Sequence, residues 1–401
     1  MVDRSEFDVA IAGAGPAGTS AAIQLALGGA RVLLVEEKKF PRPKLCGEFI
    51  SPECLTHFKR LGLMDQMSAA GGAVLSETVF YSRRGRHLAV PSEWFQSGSS
   101  AMGLSRSEMD HQLLERAKSV GVTVLEESHA LPLASRNKEV QGIRVRTGNQ
   151  THDYRAKVTV DATGRTRALA RQLDPPRAKG RKNRKPLVAF KAHLENARVA
   201  VGACEIYFYE RGYGGLSSVE GGLSNLCFIV AANDVRRCGS DPERVLREIV
   251  MKNARAAHTL ATARAASPWL SVSLETFGRS SLVPAEGLVT IGDAAAFIDP
   301  FTGSGMLMAL ESGNVAADVI NRHLPLLRQR GFESLARDYD AEYTRRFQSR
   351  LLISGLLRRA AFVPRLDEAA ILFLGNSAHL RRKLARATRH SFSRAAGVSN
   401  S

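Results

Sequence analysis

The run Gly13-Ala14-Gly15-Pro16-Ala17-Gly18 constrains this chain more than any other feature of its sequence. Before it stands FDVAIA (Phe7 to Ala12), a short apolar run of the kind that forms a strand buried on both faces. After it comes Thr19 to Leu27, rich in the helix-forming residues Ala, Ile and Leu, ended by Gly28 and Gly29. Arg31 to Val35 then supplies a second buried strand, closed by Glu36. Strand, tight turn, helix and strand make a βαβ unit. Gly13 permits the turn, Gly15 lets the backbone approach a diphosphate, and Gly18 lets helix lie close on strand. The diphosphate sits where free N–H groups open the helix, and Glu36 is placed to accept hydrogen bonds from ribose hydroxyls. The expected ligand is a dinucleotide. Val9 to Ala30 carries no charge and has the length of a membrane span. Its five glycines, Pro16 and the net acidic residues before it argue against both a span and a secretory signal.

Further along, Ser51-Pro52-Glu53 marks a helix start. Ser105 marks another, running from Glu108 to Ser119, with Glu108 at the capping-box position. Val122–Glu126, Val140–Arg146 and Tyr154–Ala162 read as strands joined by hairpin turns. Between Leu187 and Ala232 the runs VAFKAHL, CEIYFYE and LCFIVAA alternate with Gly-rich turns, which suits an antiparallel sheet. Leu288–Ile291 is a last buried strand and Gly303–Ile320 a last core helix, followed by polar, Arg-rich helices.

The expected fold is α/β. A discontinuous Rossmann-like dinucleotide domain takes residues 1–72, 101–185 and 275–325. A mostly antiparallel β-sheet substrate domain is inserted in it (73–100 and 186–274), and a basic helical region ends the chain (326–401).

Two more segments carry chemistry. Leu288 to Gly305 reads LVTIGDAAAFIDPFTGSG: a buried strand delivers Gly292-Asp293 to its carboxyl end, where α/β sheets place ligands. There Asp293 is placed to bond a ribityl hydroxyl, and Gly303-Ser304-Gly305 opens the helix that continues at Met306. A helix N-terminus aimed at a flavin would stabilise the negative charge that develops on reduction. Val158 to Arg165, VTVDATGR, ends a strand with Asp161 followed by Gly164, which taken alone is an ordinary strand exit.

In this order and separation the three motifs resemble the flavoprotein superfamily of para-hydroxybenzoate hydroxylase-like monooxygenases, flavin-dependent halogenases and geranylgeranyl reductases. The resemblance spans roughly residues 5 to 320. It implies that Gly13–Gly18 binds the ADP part of FAD and that Asp161 and Gly164 serve FAD and a nicotinamide donor, NADH or NADPH. It also implies that Gly292-Asp293 binds the ribityl chain. Pro41 to Glu48 (PRPKLCGE) is similar to the PRxKxCG segment of the geranylgeranyl reductase branch, which puts Arg42 and Cys46 near the flavin. Arg106 matches an arginine that contacts FAD in the wider superfamily. Cys46 and Glu48 are the candidate catalytic residues, although a lone Cys is as often a small buried residue. The stretch Gly212 to Ser217 lacks the YxWxFP-like segment of the reductases, and the two tryptophans, Trp94 and Trp269, do not form the halogenase WxWxIP.

The first expectation is therefore an NAD(P)H-dependent monooxygenase for an aromatic, polyketide-like or other hydrophobic molecule, with Phe190, Phe208 and Phe228 as candidate pocket lining or, as large apolar residues more often are, plain core. The second is a reductase of prenyl or polyene double bonds. The five cysteines form no CxxC pair or metal spacing and suit reduced thiols of a cytoplasmic protein. A net charge of +17 asks for a partner or an exposed basic face. From Arg322 onward there are sixteen Lys/Arg against six Asp/Glu, and a second cluster spans Arg177 to Lys191. In His379–Arg394 the stripe Leu380, Leu384, Ala387 and Ser391 makes a helix that could lie on an anionic membrane or fold back on its own domain. RNA is the weakest partner, because the basic stretches lack interleaved aromatic residues for base stacking.

Overall fold

The computed structural model describes residues 5–96, 98–173, 186–274, 277–361, 366–375 and 377–387. Most of the Arg177–Lys191 cluster and the end of the His379–Arg394 stripe lie outside them.

The expected βαβ unit opens the fold. Strand Glu6–Ala12 runs parallel to Val32–Val35 on one side and to Gln150–Asp161 on the other. Thr123–Leu125 extends the sheet beyond Val32–Val35, again in parallel. Val122–Glu126 was expected to turn back as a hairpin. Instead it is this parallel edge, and the meander is completed by Ser128–Ala134, whose strand signal is broken by Pro132 in its middle. Leu288–Thr290, reached only after the inserted sheet, pairs in parallel with the end of Gln150–Asp161.

Side chains alternate across this sheet as strand geometry requires. Val9, Ile11, Val158 and Val160 face helices Pro16–Leu27, Arg106–Ser119 and Gly305–His323. Ala10, Ala12 and Leu33 face the other way, toward the meander residues Ile143 and Val145. Each fully buried Ile, Leu or Phe here stabilises by about 1.5–3 kcal/mol. Helix Arg106–Ser119 starts as its cap predicts, with Ser105 Oγ accepting from Glu108 N at 3.1 Å. The reciprocal half of the capping box comes from elsewhere: Ser105 N donates to Glu220.

The second sheet has eight strands. Leu187–Glu195, Ala203–Tyr209, Gly212–Ser218 and Ser224–Ala231 are its antiparallel centre. Glu77–Tyr81 joins in parallel on Ala203–Tyr209, and His87–Pro91 forms the edge. The sheet's outer face is a core of Phe190, Phe228, Tyr207 and Trp269. Its inner face looks toward the carboxyl ends of the first sheet.

The basic C-terminal region is more embedded than its composition suggests. The long helix Leu327–Ala361, interrupted at Gly331, places Phe332, Leu335, Tyr339, Tyr343 and Phe347 in the main core. Those positions recur at helical spacing, so one apolar stripe is buried while Arg337 and Arg345 point outward and Arg350 is buried against Glu311.

Candidate functional site

Four segments meet at one cavity of about 900 Å³. The Gly-rich turn supplies its first wall. Gly13 has φ +100, and a Cβ there would lie 2.4 Å from Ala162 O. A Cβ on Gly18 would lie 1.9 Å from Gly13 O, so both positions admit glycine alone. Gly15, by contrast, faces open space in the cavity, with only Arg106 near. The Glu36 carboxylate accepts from Ala14 N at 2.9 Å and Lys38 N at 3.1 Å. It is thereby fixed at the rim of the cavity, beside the buried Arg42, whose Nε and Nη1 make no hydrogen bond.

Arg106 extends from the first turn of its helix and forks onto Asp110, both bonds 2.7 Å long. Burial opposes its charge, but the facing carboxylate raises its pKa overall. A bidentate pair of this kind is rigid, so the guanidinium edge over Gly15 is held in place.

Next to it is a buried polar cluster. Glu48 adopts φ +52 and is fully buried. It accepts from Arg106 N at 3.0 Å and Lys191 Nζ at 2.9 Å, and its other oxygen lies 2.6 Å from His193 Nε2. Burial pushes the Glu48 pKa up. The His193 bond and the Lys191 charge outweigh it, so the carboxyl is held below its usual range. Cys46 Sγ accepts from Glu48 N at 3.4 Å, and Asn225 holds the Cys46 carbonyl. Burial keeps the Cys46 thiol protonated, against the pull of Arg106.

The late segment closes the far side. Gly292 has φ +59 and a would-be Cβ only 2.9 Å from that of Ala17. Its N–H donates to Ser312 Oγ, leaving Asp293 turned to the cavity. Burial raises the Asp293 pKa, with Arg165, Arg106 and Lys44 drawing it back. Asp299 caps Phe301 N at 3.0 Å and also accepts from the Tyr213 hydroxyl. The turn that opens helix Gly305–His323 is thereby tied to the second sheet.

Of the residues expected to bind the cofactor, Gly13, Gly15, Pro16, Ala17, Glu36, Arg42, Cys46, Arg106, Gly164, Gly292, Asp293, Gly303, Gly305 and Met306 line the cavity, as does Glu48. Ala14, Gly18 and Ser304 lie just behind the wall as structural supports. Asp161 stands apart: its carboxylate accepts from Thr163 N and Oγ1, Leu169 N and Ala170 N. It is fully occupied in shaping the strand exit and is absent from the wall. Of the three expected aromatics only Phe208 faces the cavity, together with Phe80, Tyr213 and Phe301. Phe190 and Phe228 pair across the sheet on the opposite face. Lys191 and His193, which the sequence reading passed over, share the inner face with Ala189 and Cys227.

These residues fit FAD. The cradle at Gly13–Gly18 leaves the helix N-terminus bare for a diphosphate, the buried Arg42 is ion-paired to Glu36 and Asp110 with Nε and Nη1 still lacking a hydrogen bond, and Asp293 is aimed inward. The chain belongs to the FAD_binding_3 (FAD binding domain) family, whose profile it matches over residues 6–348, and is an FAD-dependent oxidoreductase. It is 27% identical to digeranylgeranylglycerophospholipid reductase 2 of Methanopyrus kandleri, over 78% of this chain and 76% of that protein. It is 26% identical to the mitochondrial squalene epoxidase 2 of Arabidopsis thaliana, over 85% of this chain and 58% of that protein. Its fold matches the geranylgeranyl bacteriochlorophyll reductase-like protein Ta0516 of Thermoplasma acidophilum with TM-score 0.79, 20% identity and 96% of both chains covered.

Proposed function

We propose that the enzyme adds hydrogen across a carbon–carbon double bond of a long apolar molecule of prenyl or polyene type, with NADH or NADPH as electron donor. Motif order alone ranks hydroxylation first; the polar cluster around Glu48 reverses that ranking. The cluster holds exchangeable protons in a buried position beside the inner sheet face, and reduction of an alkene needs a proton as well as a hydride.

FAD, when bound and reduced, supplies the hydride. The chain supplies the rest. The protonated Cys46 thiol gives its proton to the second alkene carbon, and the Glu48 N–H steadies the resulting thiolate. Lys191 and His193, both held on the Glu48 carboxylate, return a proton to it, and His193 is the member that reaches toward solvent. Phe80, Phe208, Ile229 and Val272 exclude water from the chain-binding space. Digeranylgeranylglycerophospholipid and squalene, named in the two relatives, are both long isoprenoids, which supports this substrate class.

The test is turnover of a geranylgeranyl compound with NAD(P)H in the absence of oxygen. A product heavier by two hydrogens is expected. Activity that stops without oxygen, with a product that has gained an oxygen atom, would sink the reduction and favour hydroxylation.

A further inference from the structure

Helix Leu366–Gly375 is apolar on two sides. Ala370, Ile371 and Leu374 line the cavity. On its other side Leu372 is 52% exposed and Phe373 69% exposed. Large apolar side chains belong in an interior, yet one face of this helix meets solvent. It adjoins the end of the long helix, where Leu352 and Leu356, one turn apart, are each 62% exposed. The flanks of this patch are cationic. Arg345 and Arg359 continue the exposed stripe of the long helix, and Arg382, Lys383 and Arg386 are exposed on helix Ala378–Ala387. The acid Glu368 is turned away, onto Arg86 and the Arg84 N–H. Helix Ala378–Ala387 packs on its own domain: Leu380 and Leu384 are half-buried, Leu384 lines the cavity, Ala385 is buried against Val90 and Phe95, and Arg381 lies over Trp94.

We propose that the exposed side of Leu366–Gly375, with Leu352 and Leu356, docks on the interface of an anionic lipid bilayer. The helix then stands as the partition between acyl chains and the substrate cavity. Large apolar side chains ringed by arginine and lysine match a headgroup layer over hydrocarbon; a folded protein partner of acidic surface would not need Phe373 bare. The inference deepens the proposed function by naming where an apolar substrate comes from, and rests on that reading only there.

The test is flotation of the purified FAD-loaded chain with vesicles. Binding is expected to mixed phosphatidylglycerol–phosphatidylcholine vesicles and to be weaker on phosphatidylcholine alone. The double variant Leu372→Ser/Phe373→Ser should lose roughly tenfold or more in partitioning. Arg382→Glu/Lys383→Glu/Arg386→Glu should lose the preference for the anionic lipid. Unchanged flavin absorbance and thermal midpoint would show that both variants are folded. Absence of binding by the unmodified chain, or equal binding by the double variant, overturns the proposal. So does a dimer in sedimentation that the double variant dissolves, because the face would then be covered by a second copy. Vesicle binding without reduction of prenyl compounds would keep the docking surface and remove only the proposed reaction.

Discussion

Gly313 of the late core helix meets Ala17 of the first helix so closely that a Cβ on Gly313 would lie 2.4 Å from the Ala17 carbonyl oxygen. The two helices that open on the cofactor cavity are thereby locked at backbone contact, and Ser20 Oγ reinforces the crossing at 2.7 Å from Asn314 Oδ1. Replacing Gly313 by Val forces the helices apart and moves Asp293 away from the Gly-rich turn. Overpacking of this kind costs about 1–3 kcal/mol. The expected result is a lower thermal midpoint and loss of bound FAD on gel filtration, read from the visible spectrum.

Asp110 is completely buried and both its oxygens are engaged by Arg106. Asp110→Asn removes the counter-charge and leaves a buried guanidinium without its partner. Breaking a buried pair costs about 3–5 kcal/mol. FAD affinity measured by fluorescence titration should weaken, and weaken more than for an exposed pair such as Arg144–Asp153 cut by Asp153→Asn.

Glu311 gives a pH signature. Burial pushes its pKa up, but His57, Arg350 and Arg346 outweigh that and hold it at about 2, against an ordinary 4.5. A depressed carboxylate stabilises the fold fully above about 4.5, and that stability is lost as pH falls toward about 2. Its magnitude is on the order of 3 kcal/mol. Glu311→Gln should melt earlier than the parent at neutral pH, and the gap between the two should close through that acid window. A gap independent of pH would refute the assignment.

His193→Gln separates proton delivery from structure. Turnover should drop by roughly tenfold to a hundredfold, with the acid–base limbs of the pH–rate profile displaced. Flavin content and the rate of flavin bleaching by the nicotinamide donor should stay unchanged. If flavin content falls in step with turnover, His193 serves only to hold Glu48.

Gly215 lies bare at the middle of the inner sheet face, between Ile206 and Cys227, where a Cβ would approach Ile206 Cδ1 at 3.2 Å. Gly215→Leu projects a branched side chain into the chamber without touching the diphosphate end. Bound FAD should be retained while KM for an apolar substrate rises about tenfold or more, in line with the loss of one well-fitted apolar contact surface.

The dinucleotide half of the site was legible because its chemistry is local. Gly13, Gly18 and Glu36 act within one βαβ unit, and each needs a residue type that nothing else satisfies. Gly292 and Asp293 were legible for the same reason. The substrate wall was not. In LVAFKAHLE the alternation puts Phe190 on one face and Lys191 and His193 on the other, and polarity alone assigns the latter to solvent. Glu48, more than a hundred residues earlier, pairs with both and turns that face inward. A one-residue choice of face then exchanges every side chain, so Phe190 and Phe228 become outer core. Asp161 misled differently: its position suits a ligand contact, but the four donors that occupy it come from a turn with no pattern of its own. The basic tail likewise concealed its buried stripe, because Tyr339 and Phe347 are spaced among arginines.

Because Leu288–Thr290 is the strand that completes the pairing of Gln150–Asp161, translation delivers the cofactor half-site in two instalments. A nascent polypeptide that has reached Leu274 already owns the Gly-rich turn and the whole inner wall, yet Thr159–Asp161 still presents an open edge. Such edges invite wrong partners, and long-range closure is slow. Closure of this edge therefore waits for Leu288–Thr290, more than a hundred residues after the strand it pairs with.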